Sequence, residues 1–232
     1  LMSKNVSQAL VDIYVAPKQV FNALPDKKGW SWLPLLIILA INAIGIWYFY
    51  SGMSPEWIVE QQIAQTAHNL TPAEIEQNRA VMGQMADKTG IISVGAVLVM
   101  TPILFAIMAL YLMLVGNPGQ KRPYGDWFAL TIWSNMPGVI NMLGLIVLVL
   151  ISSDPNLPLT TANYLSLNQL VLGLEPGQAW YAWAENFNLI FLWISGLFAV
   201  GLHCWSGYST VKSALLGFLP LVVIYSLWAA FI

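Results

Sequence analysis

Five long apolar runs dominate this chain and leave it few alternatives. They cover about 32–50, 91–115, 127–151, 183–204 and 214–232, and no Lys, Arg, Asp or Glu lies in the central part of any of them. A helix needs about 20 apolar residues to cross a hydrocarbon core ~30 Å thick. A lone segment in lipid must also satisfy its own backbone polar groups, which it does as a helix. The runs therefore predict an all-α, polytopic transmembrane helical bundle. Its five-span domain covers 32–232 and follows a cytoplasmic N-terminal amphipathic segment over 1–31. Composition agrees, because 9% of the residues are charged and 58% are apolar, whereas a soluble domain is about a quarter charged. So few charges cannot coat a soluble protein of this size.

The cations set the orientation. Lys4, Lys18, Lys27, Lys28, Lys121, Arg122 and Lys212 fall on one side of the alternating spans, and Arg79 and Lys88 on the other. Loops rich in Lys and Arg stay in the cytoplasm. This places the N-terminus inside and, with an odd number of spans, the C-terminus outside. Asp12, Asp26 and Asp126 share the inner side, while the other eight acids lie outside. The first apolar run is too long for a cleavable signal core and lacks a small-residue cleavage site after it, so it is expected to remain as the first span. Trp30, Trp32, Trp47, Tyr48 and Tyr50 flank that span, and Trp180, Tyr181 and Trp183 open the fourth. Such amphipathic rings suit the headgroup region.

Three segments outside the spans are expected to be ordered. Val6, Leu10, Ile13 and Tyr14 recur at helical spacing, and Pro17 starts a further turn with Val20, Phe21 and Leu24. This reads as an interfacial amphipathic helix. Ser54-Pro55 and Thr71-Pro72 each mark a helix start, and Thr71 with Glu74 forms a capping box. The uncharged stretch 155–174 reads as a loop with a short helix from Asn163. A re-entrant element is the alternative reading.

Motifs for chemistry are missing from the sequence. The two histidines, His68 and His203, fall on opposite sides of the expected membrane and form no ligand cluster with cysteine. His203 is expected to be a satisfied residue near the boundary. Gly116-Asn117-Pro118-Gly119 lacks the Gly-Lys-Ser/Thr ending of a phosphate-binding loop and reads as a turn. Neither a metal nor another cofactor is expected, and the chain is not expected to be an enzyme. The lone Cys204 forbids an intrachain disulfide and reads as a packed thiol. Nine scattered Lys and Arg residues exclude nucleic acid as a partner. The lack of central intramembrane charges argues against a proton-coupled pump or a transporter of charged substrates. Glu185 and Asp126 are expected at span ends, where water reaches them.

What remains is a set of neutral polar residues inside the spans. The third span is richest, with Thr131, Ser134, Asn135 and Asn141 around Pro137. Asn42 and Asn188 complete the candidate polar face. Pro137 removes an amide and should bend the helix there. One reading is interhelical hydrogen bonding between closely packed spans. The other is a polar groove serving a small-solute channel or a lipid-moving protein.

Ala16-Pro17-Lys18-Gln19-Val20-Phe21-Asn22-Ala23-Leu24 resembles the Pro-x-x-hydrophobic-Phe start of the Yip family (Ypt-interacting proteins). The third-span stretch from Trp127 to Ser134-Asn135-Met136-Pro137 is similar to a pattern of that family ending in Ser-x-x-Pro. Thr210-Val211-Lys212-Ser213-Ala214-Leu215 resembles its short basic turn before the last span. The resemblance implies a five-span, non-catalytic protein that organises membrane partners or lipids, a trafficking role in eukaryotic relatives. Those relatives contact Rab-type GTPases. The very short N-terminal segment here speaks against GTPase binding and resembles bacterial members, which implies a bacterial inner membrane. The expected partners are the lipid bilayer and either another membrane protein or a second copy of the chain.

Overall fold

The computed structural model describes residues 2–118 and 121–232, with the side chain of Asn69 outside that description. Gly119 of the expected Gly116–Gly119 turn is thus not among the described residues. Those residues form helices and no strand.

The N-terminal segment holds two helices. α1 (Val6–Val15) is capped by Asn5, whose side chain accepts the Gln8 N–H at 2.8 Å. It stops at Ala16, ahead of Pro17, because a residue before proline is driven out of helical geometry. α2 (Pro17–Ala23) then starts with that proline, where a missing N–H costs nothing. α3 (Trp32–Ser51) is the first long apolar helix. α4 (Pro55–Thr66) is capped by Ser54, and α5 (Pro72–Gly83) by the full Thr71–Glu74 capping box. α6 (Thr89–Gly116) runs through Pro102. α7 (Tyr124–Ser134) and α8 (Pro137–Ile151) divide the third apolar run at Asn135–Met136. α9 (Tyr181–Asn186), α10 (Ile190–Ser206) and α11 (Thr210–Ala229) follow, and α11 runs through Pro220.

Four helical stretches are long and apolar enough to cross a membrane: Trp32–Ser51, Ala86–Gly116, Tyr124–Ile151 and Thr210–Ala229. The expected fourth span over 183–204 is divided between α9 and the 17-residue α10. The cause is a local pairing with the preceding loop. The Leu167 N–H donates to the Phe187 carbonyl at 2.8 Å, and the Leu189 N–H to the Leu165 carbonyl at 3.0 Å. The bridge between Ser166 and Asn188 follows directly on the end of α9. The last helix begins at Thr210, so Lys212 sits in its first turn and not in a turn ahead of it.

The chain forms two compact units, and the long helices contribute residues to both. The first comprises the chain up to Ile41, Leu98–Ile140 and Ile190–Ile224. Its core is aromatic. Phe21, Trp127, Trp133 and Trp205 are all buried, together with Ile13, Val20, Leu112 and Leu202. The Trp205 indole donates to the Phe21 carbonyl at 2.8 Å and meets Trp127 edge to face at 5.3 Å. Gly116 lies against the Trp127 ring, where a Cβ would collide with it. The inner face of α1 and α2 is therefore built into protein and does not rest on lipid. Periodicity gives a helix an apolar face but does not say what covers it. Val11 and Val15 remain exposed on the other side of α1.

The second unit comprises Asn42–Val97, Asn141–Leu189 and Tyr225–Ile232. Its apolar clusters are small: Phe49, Met53, Ile58 and Leu145 in one, Val59, Ile63 and Ala86 in another. Hydrogen bonds between loops and helices supplement them. The Trp57 indole donates to the Leu157 carbonyl at 2.9 Å, and the Tyr164 hydroxyl to the Asn141 carbonyl at 3.0 Å, over Gly144. Trp183 does not face headgroups freely, since its indole donates to the Tyr225 carbonyl at 2.9 Å. The 155–174 stretch forms a 3-10 helix at Leu159–Asn163 and a π turn at Asn168–Leu172. Asn163 thus ends a helical turn where the sequence predicts a start.

Candidate functional site

The third-span break is built by Pro137. Lacking an N–H, it leaves the Trp133 carbonyl without its usual partner, and the Met136 N–H takes that acceptor at 3.2 Å. The Asn135 N–H is shared between the Thr131 and Ile132 carbonyls. The Asn135 side chain donates to the Thr131 carbonyl at 2.8 Å, and the Thr131 hydroxyl to the Trp127 carbonyl at 2.9 Å. The Tyr14 hydroxyl of α1 donates to the Met136 carbonyl at 3.0 Å, which pins the N-terminal segment to the break.

The candidate polar residues divide between the two units. Thr131, Ser134, Asn135 and Pro137 belong to the first, and Asn42, Asn141 and Asn188 to the second. Thr131 and Ser134 are fully buried, Asn188 nearly so, and Asn42, Asn135 and Asn141 half-buried. The Ser134 hydroxyl and the Asn141 side-chain oxygen have no hydrogen-bond partner among the described residues. The Asn141 backbone carbonyl, by contrast, accepts from Tyr164. Of these side chains, Asn135 and Thr131 bond to carbonyls of their own helix.

Two other places carry chemistry. The first is a cleft of about 400 Å³ in the first unit. Lys27 and Lys28 lie on its rim, with Gly29 between them and the span (φ +91°), a backbone geometry that favours glycine. Its walls are apolar: Leu35, Phe128, Ala129 and Ile132, with Trp32 at 68% exposure beside them. Asp126 also lines it and lies 3.8 Å from the Arg122 guanidinium, which in turn covers the Trp205 ring at 4.9 Å. The arrangement joins exposed ammonium groups to a hydrocarbon wall. Sequence reasoning used Lys27 and Lys28 only as orientation charges and Trp32 only as a boundary anchor. The signal was the Lys-Lys-Gly-Trp-Ser-Trp run at the edge of the first span.

The second place surrounds Glu185. The sequence puts this carboxylate at a span end within reach of water, but it is 5% exposed. One carboxylate oxygen accepts from the side-chain amides of Asn168 at 2.9 Å and Gln169 at 2.8 Å. Asn168 is itself buried and ties the loop by exchanging hydrogen bonds with both backbone groups of Leu174. Burial, and secondarily the Glu185 charge, push the neighbouring Tyr181 phenol above its ordinary pKa.

The His203 Nδ1–H donates to the Tyr208 carbonyl at 2.9 Å, which satisfies that ring nitrogen. Among the described residues no group of His, Cys, Asp and Glu has the makings of a metal site.

Along α6, Ile91, Val99, Leu104, Ile107 and Leu114 are all exposed, and only 6% of its most apolar stretch is buried. In water such surface would be costly, at roughly 25 cal/mol per Å². Helices this long and this uncovered define a multi-pass α-helical membrane protein. Residues 11–231 match the family model of the Yip1 domain, and the chain belongs to that family. No curated protein and no solved structure matches it.

Proposed function

We propose that this Yip-family protein is a non-catalytic organiser of membrane lipids and membrane partners, resident in a bacterial inner membrane. The observation that carries this reading is the Lys27/Lys28 cleft. An anionic phospholipid offers a phosphate to the ammonium groups and hydrocarbon to the Trp32–Ile132 walls. Polybasic segments beside a span attract anionic headgroups in this way, at about 1 kcal/mol per cation near the surface. In this reading the N-terminus is cytoplasmic and the C-terminus outside. α10 serves as a fifth crossing, since its 17 residues match the lower end of the ~17–25 residues a crossing needs. GTPase binding is not part of the proposal. Ile13, Val20 and Phe21 of α1 and α2 are committed to the core and present no free apolar face there.

A channel or lipid-moving activity along the third span would need an open polar path, and Thr131 and Ser134 are closed off. Proteoliposome assays of solute flux and lipid flip test the choice. The proposal expects rates equal to those of empty vesicles. Flux or flip above that baseline, lost in Asn135→Leu with the fold intact, would replace it with the permeation reading.

A further inference from the structure

The second unit contains a polar cavity of about 330 Å³ that the membrane-organising reading does not use. Glu185, Tyr181, His68, Gln65, Gln178 and Asn186 are among its lining residues, and no Lys or Arg is. Two of its lining residues each have a buried polar atom without a hydrogen-bond partner among the described residues: the second carboxylate oxygen of Glu185 and the Tyr181 hydroxyl. Both side chains are at least nine-tenths buried.

An ionised carboxylate is an acceptor only, with room for about four hydrogen bonds. Asn168 and Gln169 fill one Glu185 oxygen and hold the side chain in place. The other oxygen lacks a partner, and leaving a buried polar atom unpaired is expensive. Among the lining residues His68 is the one side chain able to carry positive charge, and no Lys or Arg joins it. A ligand that fits must bring positive charge and N–H donors together. A primary ammonium does so with three donors. Glu185 and the Tyr181 oxygen could each accept one, and Gln65, Gln178 and Asn186 also line the cavity. A bare divalent metal fits less well, because no group of three His, Cys, Asp or Glu ligands forms among the described residues. The volume exceeds what an ammonium alone fills, so a short polar chain attached to it is accommodated.

We propose that this cavity is a binding site for a primary ammonium group, borne either by a small soluble amine or by an aminophospholipid headgroup. The site needs both the charge and the N–H donors. A quaternary ammonium of the same charge, having no N–H, is excluded.

The test uses the full chain, first in phosphatidylcholine nanodiscs titrated calorimetrically with ethanolamine and, separately, with tetramethylammonium. A second arm places it in mixed phosphatidylethanolamine and phosphatidylcholine nanodiscs and identifies retained lipid by native mass spectrometry. Ethanolamine binding in the first arm assigns a soluble amine, and selective retention of phosphatidylethanolamine in the second assigns the headgroup. Either result, weakened about tenfold or more by Glu185→Gln, supports the site. Glu185→Gln preserves the oxygen that accepts from Asn168 and Gln169. Tyr181→Phe is the second variant if the first does not assemble, and it should weaken binding several-fold. Absence of binding in both arms overturns the proposal. So does equal binding of tetramethylammonium, or binding that neither variant changes.

Discussion

The two compact units share the same helices but differ in charge and in what holds them. The first contains Lys4, Lys18, Lys27, Lys28, Lys121, Arg122 and Lys212 against three acids. The second contains Arg79 and Lys88 against eight. The compact units thus sort the charges as the positive-inside reading of the loops does. The first unit is closed by buried aromatic rings, with Trp127, Trp133 and Trp205 at its centre. The second has thin apolar clusters and relies on side-chain hydrogen bonds that tie its loops, such as those of Trp57, Tyr164 and Asn168. Where long helices leave little room for a large core, loops supply the missing order through hydrogen bonds.

The largest contrast is in accessibility. With Cys204→Ser as background, single cysteines replacing Lys121 and Arg79 should label oppositely with an impermeant thiol reagent in intact cells. The Arg79 position should react, and the Lys121 position only after lysis. Labelling at Lys121 alone would invert the orientation.

Next is the aromatic core. Trp205→Ala removes a buried ring and the hydrogen bond to Phe21, and should cost about 3–5 kcal/mol. Chemical unfolding in detergent measures this, and hydrogen exchange should rise first in α1 and α2. A loss under about 1 kcal/mol would mean that the aromatic centre does not hold the N-terminal helices.

In the second unit a polar substitution should matter instead. Asn168→Ala removes the Leu174 bonds and half of the support for buried Glu185, at about 1–3 kcal/mol. Protection should fall at 168–174 and across α9, with the first unit unchanged. An unaffected loop would contradict the hydrogen-bonded account of that unit.

The smallest effect is at α5. The Thr71 backbone N–H, and next its hydroxyl, hold the Glu74 carboxyl below its ordinary pKa. Its folded pKa lies below its unfolded one, so the contribution is present above the unfolded value and fades as pH falls through the folded value. Amide protection in the first turn of α5 should drop over that acid range, and Glu74→Ala should remove the dependence.

Much of this was legible in the sequence. The first, second and last long helices are continuous apolar runs, which lipid forces into helices whatever else surrounds them. Pro137 announced the third-span break, and Ser54-Pro55 and Thr71-Pro72-Ala73-Glu74 announced α4 and α5, because capping is local. The division at 187–189 was not legible. No proline or glycine marks it, and it depends on backbone pairing with Leu165 and Leu167. Glu185 was misplaced for a similar reason. Its burial is decided by Asn168 and Gln169, two amides in a loop that reads only as uncharged. The inner face of α1 and α2 was visible as a pattern, while its cover, Trp127 and Trp205, lies more than a hundred residues away.

The central claim is that the Lys27/Lys28 cleft takes an anionic headgroup. Native mass spectrometry of the protein released from nanodiscs of equal phosphatidylglycerol and phosphatidylcholine tests it most directly. The account predicts that retained lipid is enriched in phosphatidylglycerol, that added salt weakens the enrichment, and that Lys27→Ala with Lys28→Ala abolishes it. Retained lipid in the bulk ratio, or an enrichment that survives the double substitution, would contradict it.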